Sequence, residues 1–315
     1  MTPGPDERPL VSVIIPCFNA AATVCCAVDS ALAQENVSVE VLLSDDGSQD
    51  DTLHVLREVY GQHPGVRVLQ AETNRGPSAA RNRALAVARG DWIAVLDADD
   101  YMLPDRFGRL LVIARENNSD IVFDAYNLCS PDSGEVVATR GLAPGESVSG
   151  ARLILDNIGS CKPMFARDVL RRGDLYYREE YRYGEDIELL IRLFHAGYSC
   201  SYCPEAHYHK IEAASSLTAS RIDMLSGVRE LFLQLREIYG QGDKALNSAL
   251  GKALIWQADA LYCNQFRQDY KQGGLTMLLV ETGKHPLKAL ASLRHVFLRR
   301  RRFREQRVAP AKRLT

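Results

Sequence analysis

GDWIAVLDADD (90–100) joins an apolar run to a cluster of carboxylates. The apolar residues 92–96 are typical of a short strand that is buried on both faces. Asp97, Asp99 and Asp100 then place three negative charges within four positions. Such charges repel one another unless a positive group lies between them. The stretch therefore predicts a buried strand that ends beside a positive partner.

The chain before this stretch alternates between short β-branched runs and helical segments. The predicted strands cover 10–15, 37–44, 66–70 and 92–96, and the predicted helices cover 20–34, 50–63 and 77–90. This alternation is typical of a mostly parallel sheet flanked by helices. Because ligands bind at the carboxyl ends of such strands, the polar residues after the four strands are expected to share one binding edge.

Each polar strand end also has a plainer explanation. SDDGS (44–48) is a common turn and helix cap, 74–76 could be only a loop, and Asp97–Asp100 could cap a helix near Pro104. Taken singly, the first two favour the turn and loop interpretations, and the third is evenly balanced. Taken together, four polar ends on one edge favour a ligand site.

Carboxylates spaced as Asp97 and Asp99 can hold a hard divalent cation, with phosphate oxygens completing its shell. The cation would neutralise charge on a departing diphosphate. We therefore expect Mn²⁺ or Mg²⁺ as cofactor. A dinucleotide-binding dehydrogenase is disfavoured because no GxGxxG follows the first strand, and no Walker A sequence occurs in the chain.

Four segments of the chain resemble the signature blocks of family 2 glycosyltransferases and occur in that family's order. They are VSVIIPCFNA (11–20), SDDGSQDDT (44–52), NRGPSAARNRALAVARGDWIAVLDADD (74–100) and YGEDIELLIRL (183–193). The resemblance covers about residues 10–218. It implies a GT-A fold, a Rossmann-like α/β fold of nucleotide-diphospho-sugar transferases, and sugar transfer with inversion. The chain is most similar to bacterial exopolysaccharide transferases, such as those of succinoglycan synthesis, which implies a UDP-sugar donor and a lipid-linked saccharide acceptor.

The resemblance also implies roles for individual residues. Asp186 would be the general base, Asp99 a metal ligand, Asp97 would face the ribose, and Asp46 would accept from uracil. The positions that would line the nucleotide or donor are Pro16, Phe18, Asn19, Asp46, Asn74, Gly76, Arg81, Asp97 and Lys162.

Some of these roles have support, or alternatives, in the residues themselves. Asp186 would lie in the first turn of a helix, where the helix dipole favours an ionised carboxylate. A solvated side chain is nearly as well supported for Lys162. His209 is a candidate metal ligand where many relatives carry arginine, and His207 lies beside it; packed or surface histidines explain both equally well.

The domain prediction has three parts: a tail (1–9), a catalytic domain (10–218) and a helical extension (219–315). The catalytic domain would comprise a nucleotide-binding half (10–100) and an acceptor half (101–218). Helices are predicted at 221–239, 243–270 and 286–304.

The composition is that of an ordinary globular protein, with 46% hydrophobic and 25% charged residues in 315. Eight cysteines in a chain of this length do not indicate a disulfide framework. The CxxC at Cys200 and Cys203 lacks a second ligand pair, so packing cysteines are favoured over zinc. The N-terminal residues do not match a secretory signal, and no apolar stretch is long enough to span a bilayer. We therefore expect a cytoplasmic protein.

The C-terminal segment is basic. From Lys284 onward there are eleven Lys or Arg and one acidic residue, a net charge of +10 in a chain whose total is -2. Leu287, Leu290, Leu293 and Phe297 share one helical face beside this charge. The pattern favours attachment to an anionic membrane on its inner face over a packed helix with a solvated tail. Nucleic acid is not expected as a partner, because the rest of the chain is acidic. Failure of the protein to bind anionic liposomes at low salt would remove the membrane interpretation.

The sequence thus predicts a metal-dependent inverting glycosyltransferase of surface-polysaccharide synthesis. A nucleotidyltransferase would also pair an α/β sheet with metal-binding aspartates, but would release pyrophosphate rather than UDP. A catalytically idle scaffold that only binds nucleotide sugar is a further alternative. The intact Asp97, Asp99 and Asp186 argue against that scaffold.

Overall fold

The computed structural model describes residues 8–142, 148–156, 161–211, 221–262 and 264. Residues 10–100, which we call the first half, alternate strictly between strands and helices. Its elements are β1 (Leu10–Cys17), α1 (Val24–Leu32), β2 (Ser38–Asp45), α2 (Thr52–Tyr60), β3 (Val66–Gln70), α3 (Pro77–Leu85) and β4 (Trp92–Val95). The predicted order of strands and helices is confirmed, and the bounds differ from the predicted ones by a few residues at the ends.

The described residues from 101 onward, which we call the second half, mix short strands with helices. Its elements are β5 (Tyr101–Met102), α4 (Arg106–Glu116), β6 (Ile121–Cys129), β7 (Val136–Arg140), α5 (Gly150–Leu155), β8 (Met164–Ala166), α6 (Arg167–Arg171), α7 (Glu185–His195), β9 (Cys200–Ile211) and α8 (Arg221–Tyr239). A further helix, α9, covers residues 244–262. The helix predicted at 221–239 is confirmed, and α9 begins within one residue of its predicted start at 243. The rest of the helix predicted to reach 270, the helix predicted at 286–304 and the basic segment lie outside the described residues.

One sheet of nine strands runs through both halves in the order β3-β2-β1-β4-β8-β6-β9-β5, with β7 paired to β6. The pairs β1–β2, β1–β4, β2–β3 and β6–β9 are parallel. The short β8 runs antiparallel to both β4 and β6, so it joins the two halves. The parallel strands of the first half end at one edge, which brings the polar residues after them together.

Burial on both faces explains the apolar first strands. Residues 11–15 of β1 and 40–45 of β2 are buried throughout, including Ser12 and Glu40. Strands covered by helices on both faces have no solvent side, so their sequences do not alternate. The first strand continues through Pro16 because its pairing with β4 stops at Ile14, and a proline fits where a ladder has already ended on one side.

A buried ion pair joins three segments of the second half. Arg106, at the start of α4, donates from Nη2 to Asp124 Oδ1 of β6 at 2.8 Å and from Nε to Oδ2 at 3.1 Å. Nη2 also donates to the backbone carbonyl of Lys162 at 2.5 Å. Both side chains of the pair are at most 1% exposed. The pair therefore ties α4, β6 and the segment before β8 to one another.

No helix in the described ranges combines the length and the apolar character needed to cross a bilayer.

We expect Arg106→Met to lower the free energy of unfolding by about 3–5 kcal/mol, because it leaves Asp124 buried without its cation. The exposed pair between Arg109 and Asp105, at 2.7 Å, supplies the matched control. Arg109→Gln should change stability by less than about 1 kcal/mol. Urea unfolding followed by circular dichroism measures both, and equal stabilities for the two variants would contradict this account of the buried pair.

Candidate active site

Hydrogen bonds join the ends of the first two strands. Asp46 N donates to the carbonyl of Cys17 at 2.8 Å. Asn19 N donates to Ser48 Oγ at 3.0 Å, and Asn19 Oδ1 accepts from Gln49 N at 2.8 Å. These bonds link the loop after β1 to the loop after β2, as expected for neighbouring carboxyl ends of parallel strands. The ring of Phe18 in the first loop is 43% exposed.

Asp46 holds the loop that follows β3. Its Oδ2 accepts from Arg75 N at 2.8 Å and from Gly76 N at 2.7 Å, and its Oδ1 accepts from Arg83 Nη2 at 3.0 Å. Asn74 Oδ1 also accepts from Gly76 N, at 3.1 Å. The loop approaches β2 so closely that a Cβ at Gly47, which has φ +72°, would lie 3.0 Å from Asn74 N. Glycine is therefore required at this turn.

Two buried cations connect the end of β4 to the start of α7. Arg81 of α3 contacts Asp97 Oδ1 at 3.1 Å through Nη2 and Glu185 Oε1 at 2.7 Å through Nη1. Lys162 Nζ lies 2.9 Å from Asp97 Oδ2 and 2.8 Å from Asp186 Oδ2. We call these five residues the ion-pair cluster. It brings Arg81, Asp97, Lys162 and Asp186, four of the predicted site residues, into direct contact.

The cluster determines which of its groups are charged. Burial disfavours the ionised form of Asp97, but Lys162 and Arg81 outweigh it and hold the pKa of Asp97 well below its ordinary value. Burial likewise disfavours the ammonium of Lys162, yet Asp186 and Asp97 raise its pKa well above the ordinary value. Burial and the neighbouring Asp186 raise the pKa of Glu185, although Arg81 opposes them. Lys162 is therefore a cation and Asp97 an anion throughout the neutral range.

Asp99 and Asp100, the other two aspartates of residues 97–100, have different surroundings. Tyr208 Oη donates to Asp100 Oδ2 at 2.7 Å, and Ile211 N donates to Asp100 Oδ1 at 2.9 Å. Asp100 thus binds β9 and does not cap the helix near Pro104, which was one alternative. Asp99 is half-buried, and burial followed by the charge of Asp97 raises its pKa. The positive group that acts most strongly on Asp99 is Lys210.

Asp186 lies in the first turn of α7, as predicted. Gly184 precedes the helix with φ +81°, and a Cβ there would lie 2.6 Å from Leu231 Cδ2 of α8. Glycine is therefore needed for the left-handed conformation, and the end of the Leu231 side chain would have to shift to admit a Cβ. The position in the first turn places the carboxylate near the helix N-terminus, where the dipole stabilises negative charge.

His209 lies apart from the ion-pair cluster. Its Nε2 is 3.4 Å from Asn127 Nδ2, its Nδ1 is 3.5 Å from Cys129 Sγ, and its ring packs on Tyr101 with centroids 4.7 Å apart. Burial lowers the pKa of His209. The side-chain contacts of His209 are thus with Asn127, Cys129 and Tyr101. His207 contacts Asp105 Oδ2 at 3.7 Å rather than an aspartate of the 97–100 stretch.

Three residues of this region escaped the sequence analysis: Glu185, Tyr208 and Lys210. Tyr208 Oη accepts from Asp97 N at 3.3 Å as well as donating to Asp100. Lys210 acts electrostatically on Asp97, Asp99 and Asp100. Neighbours in a strand point to opposite faces, so alternation along 208–210 could have separated Tyr208 and Lys210 from His209. Glu185 was visible as the neighbour of Asp186.

A divalent cation fits beside Asp99 only if it draws other ligands from outside the protein. In the part of the chain that the structure describes, no three His, Cys, Asp or Glu side chains are grouped to hold a metal by themselves. The negative charge of Asp99 is nevertheless disfavoured by the neighbouring Asp97. Neither Arg81 nor Lys162 forms an ion pair with Asp99. Mg²⁺ and Mn²⁺ are commonly bound by one or two carboxylates together with substrate phosphates and water. The residues present fit that kind of site.

Comparison with known proteins establishes the family. The sequence model described as glycosyl transferase family 2 matches residues 12–172. The chain belongs to this family. The succinoglycan biosynthesis protein ExoO of Rhizobium meliloti (strain 1021) is 34% identical over 259 residues, which cover 77% of this chain and 73% of that protein. ExoU of the same organism is 33% identical over 251 residues, covering 75% of this chain and 69% of the relative. The chain is therefore a glycosyltransferase, as the motif blocks indicated.

Solved structures show the same fold. The crystal structure of S. aureus TarS 1-349 in complex with UDP-GlcNAc matches with a TM-score of 0.65 at 21% identity, over 85% of this chain and 79% of that one. The mannosyltransferase PcManGT from Pyrobaculum calidifontis, in complex with GDP-Man and Mn²⁺, matches with a TM-score of 0.60 at 18% identity, over 93% and 88% of the two chains. The predicted GT-A fold, a mostly parallel sheet flanked by helices, is confirmed.

Asp100 should make stability depend on pH. Burial raises its pKa from 3.8 to about 7, a shift that Lys210 opposes and that Asp97 and Asp99 support. Because the folded state holds this proton more tightly, the contribution of Asp100 is fully present below pH 3.8 and is lost as the pH rises through about 7. At about 1.4 kcal/mol per pKa unit, the loss is at most about 4 kcal/mol.

Asp100→Asn cannot titrate, so its free energy of unfolding should fall less than that of the parent between pH 4.5 and 7.5. Asp132→Asn, at an exposed position, should retain the parental dependence. Urea unfolding at several pH values measures the three slopes. A parental slope in Asp100→Asn would show that this carboxyl is not the group responsible.

Proposed function

We propose that this glycosyltransferase is metal-dependent and inverting, and that it moves a sugar from a UDP-sugar to a lipid-linked saccharide in bacterial exopolysaccharide or other surface-polysaccharide synthesis. The observation that carries the proposal is the contact of Lys162 with both Asp97 and Asp186. One ammonium spans the two carboxylates, so the predicted donor residue and the predicted base lie side by side at the carboxyl edge of the sheet.

The donor would bind over the ends of β1 to β4. Asp46 Oδ1 accepts only from Arg83 among its hydrogen bonds in the described ranges, so a lone pair is left for the N3–H of a uracil ring. No atom of the described ranges lies within 4 Å of the place where a Cβ would stand at Gly76. That space allows a ligand to approach the backbone beside Asn74. The complex of TarS with UDP-GlcNAc supports a UDP-sugar as donor.

Asp99 would hold Mn²⁺ or Mg²⁺ together with donor phosphate oxygens. The chemistry supplied by such an ion is neutralisation of the charge on the diphosphate as it leaves. Asp99 suits this role because its charge, unlike that of Asp97, has no ion pair with Arg81 or Lys162. The complex of PcManGT with GDP-Man and Mn²⁺ supports the choice of ion. We leave His209 out of this shell because both its ring nitrogens face other residues.

Asp186 would take the proton of the acceptor hydroxyl as that oxygen attacks the anomeric carbon from the face opposite the diphosphate. Attack from that face inverts the anomeric configuration. The carboxylate side chain is 17% exposed, so it is partly open to an acceptor while its other contacts keep it in place. A positioned general base of this kind contributes typically about 10²–10⁴ in rate.

The relatives and the C-terminal charge support the proposed acceptor and location. ExoO and ExoU are named for succinoglycan biosynthesis, which supports a growing polysaccharide repeat as the acceptor. A repeat unit built on a lipid carrier requires the enzyme to work beside a membrane. The net charge of +10 from Lys284 onward would hold the protein at an anionic inner face.

Asp99→Asn should abolish sugar transfer and the metal-dependent part of donor binding. UDP-, GDP- and dTDP-sugars are screened for protection against thermal unfolding with and without Mn²⁺. A donor at about 100 times its Kd should add roughly 2.7 kcal/mol to the parent, and we expect this protection from UDP-sugars. The control Asp105→Asn, at a side chain that is 43% exposed, should behave as the parent. Metal-dependent UDP protection and transfer in Asp99→Asn would refute the metal assignment, and release of pyrophosphate would indicate a nucleotidyltransferase.

Asp186→Asn should leave UDP-sugar affinity nearly unchanged while transfer falls by roughly 10²–10⁴. The amide keeps the shape of the side chain but cannot accept the proton. Glu180→Gln, at an exposed position upstream of α7, is the matched control and should transfer normally. Calorimetry measures UDP affinity, and UDP release with acceptor present measures transfer. Near-parental turnover by Asp186→Asn would remove this residue from the mechanism.

A further inference from the structure

Lys162 is held at its backbone carbonyl and at the end of its side chain. Its carbonyl accepts from Arg106 Nη2, whose guanidinium is paired with Asp124. Its Nζ lies between Asp97 Oδ2 and Asp186 Oδ2, at 2.9 and 2.8 Å. The side chain is only 4% exposed. A lysine fixed in this way has little freedom to follow a moving ligand.

The two carboxylates depend on Lys162 to different degrees. Asp97 has a second close cation, since Arg81 Nη2 lies 3.1 Å from its Oδ1. For Asp186 the nearest approach of Arg81 is 3.8 Å, which is too long for a hydrogen bond. Lys162 is therefore the cation that orients Asp186, whereas Asp97 would keep its place without it.

The charge state of Lys162 excludes a role as proton donor near neutral pH. Burial works against the ammonium, but Asp186 and Asp97 raise its pKa well above the ordinary value. An acid matched to neutral pH would need a pKa near 7. A permanent charge with fixed partners can instead hold other groups in place.

We propose that Lys162 is a positioning residue for sugar transfer, whose ammonium ties Asp186 to Asp97 so that the carboxylate of Asp186 faces the donor site. This role rests on the proposed function of Asp186 as base. It differs from direct contact between Lys162 and the donor, which the motif resemblance implies. The two carboxylates occupy two of the three N–H donors of Nζ, so a diphosphate would be limited to the third, on a side chain that is only 4% exposed.

A double-mutant cycle tests the proposal with Lys162→Met, Asp186→Asn and the double variant. Lys162→Met should lower kcat by about 10²-fold, as expected for a misplaced catalytic group, while its affinity for UDP stays within about twofold of the parent. If Lys162 acts through Asp186, the double variant should transfer within about twofold of Asp186→Asn alone. A merely structural loss would multiply with the loss from Asp186→Asn.

Lys162→Gln is the second variant, because its amide can still donate a hydrogen bond to one carboxylate and fills the buried space if Lys162→Met does not fold. Lys162→Gln should likewise lower kcat while its affinity for UDP stays near that of the parent. Calorimetric UDP binding verifies the donor site of every variant. Lys162→Arg keeps the charge and should recover part of kcat.

The possible results separate this proposal from the one on which it rests. Losses that multiply in the double variant, or a UDP affinity at least tenfold weaker in Lys162→Gln, would overturn the positioning role while leaving Asp186 as base. Near-parental transfer by Asp186→Asn would overturn the base and the positioning role together. A non-additive cycle with parental UDP affinity would support both.

Discussion

Compensation of buried charge is the constraint on which the rest of this structure depends. Arg81 and Lys162 are each 4% exposed, and their carboxylate partners Asp97, Glu185 and Asp186 are at most 20% exposed. A charge left unpaired at such depth is strongly destabilising, so the elements that carry these residues must meet. Those elements are α3, the end of β4, the segment before β8 and the start of α7. The requirement for pairing thus joins the two halves of the chain at the place where the chemistry is proposed.

The same constraint divides the aspartates of 97–100 into three roles. Asp97 is paired with two cations and is a fixed anion. Asp100 is buried beneath Tyr208, and burial raises its pKa to about 7, so it serves β9 rather than a ligand. Asp99 has no ion pair with Arg81 or Lys162, and Lys210 is the positive group that acts most strongly on its charge. Three carboxylates in four positions are therefore tolerated because their surroundings differ, and protein cations and a proton relieve the repulsion inferred from sequence alone.

Local patterns explain what could be predicted from the sequence. Fully apolar runs revealed the parallel strands, and the rule for strand ends placed Asn19, Asp46 and Asp97 on one edge of the sheet. Pairings between distant segments could not be read in this way. Lys162 meets Asp97 because β8 enters the sheet antiparallel beside β4, and a strand of three residues leaves almost no pattern. His209 was favoured over Lys210 by residue type, although the two point to opposite faces of β9, whose pairing with β6 contains two irregularities.

The all-helical pattern after about residue 219 predicted a helical extension beyond a catalytic domain. The contacts of α8 show how the start of that segment meets the preceding residues. The family match ends at residue 172, before Asp186. The start of α7 packs closely on α8, since a Cβ at Gly184 would lie 2.6 Å from Leu231 Cδ2. Tyr181 Oη donates to Gln234 Oε1 of the same helix at 2.7 Å. Whatever α8 contributes elsewhere, it packs against the turn that presents Asp186. The position of the proposed base is therefore set from two directions, by Lys162 in the segment before β8 and by α8 behind the helix.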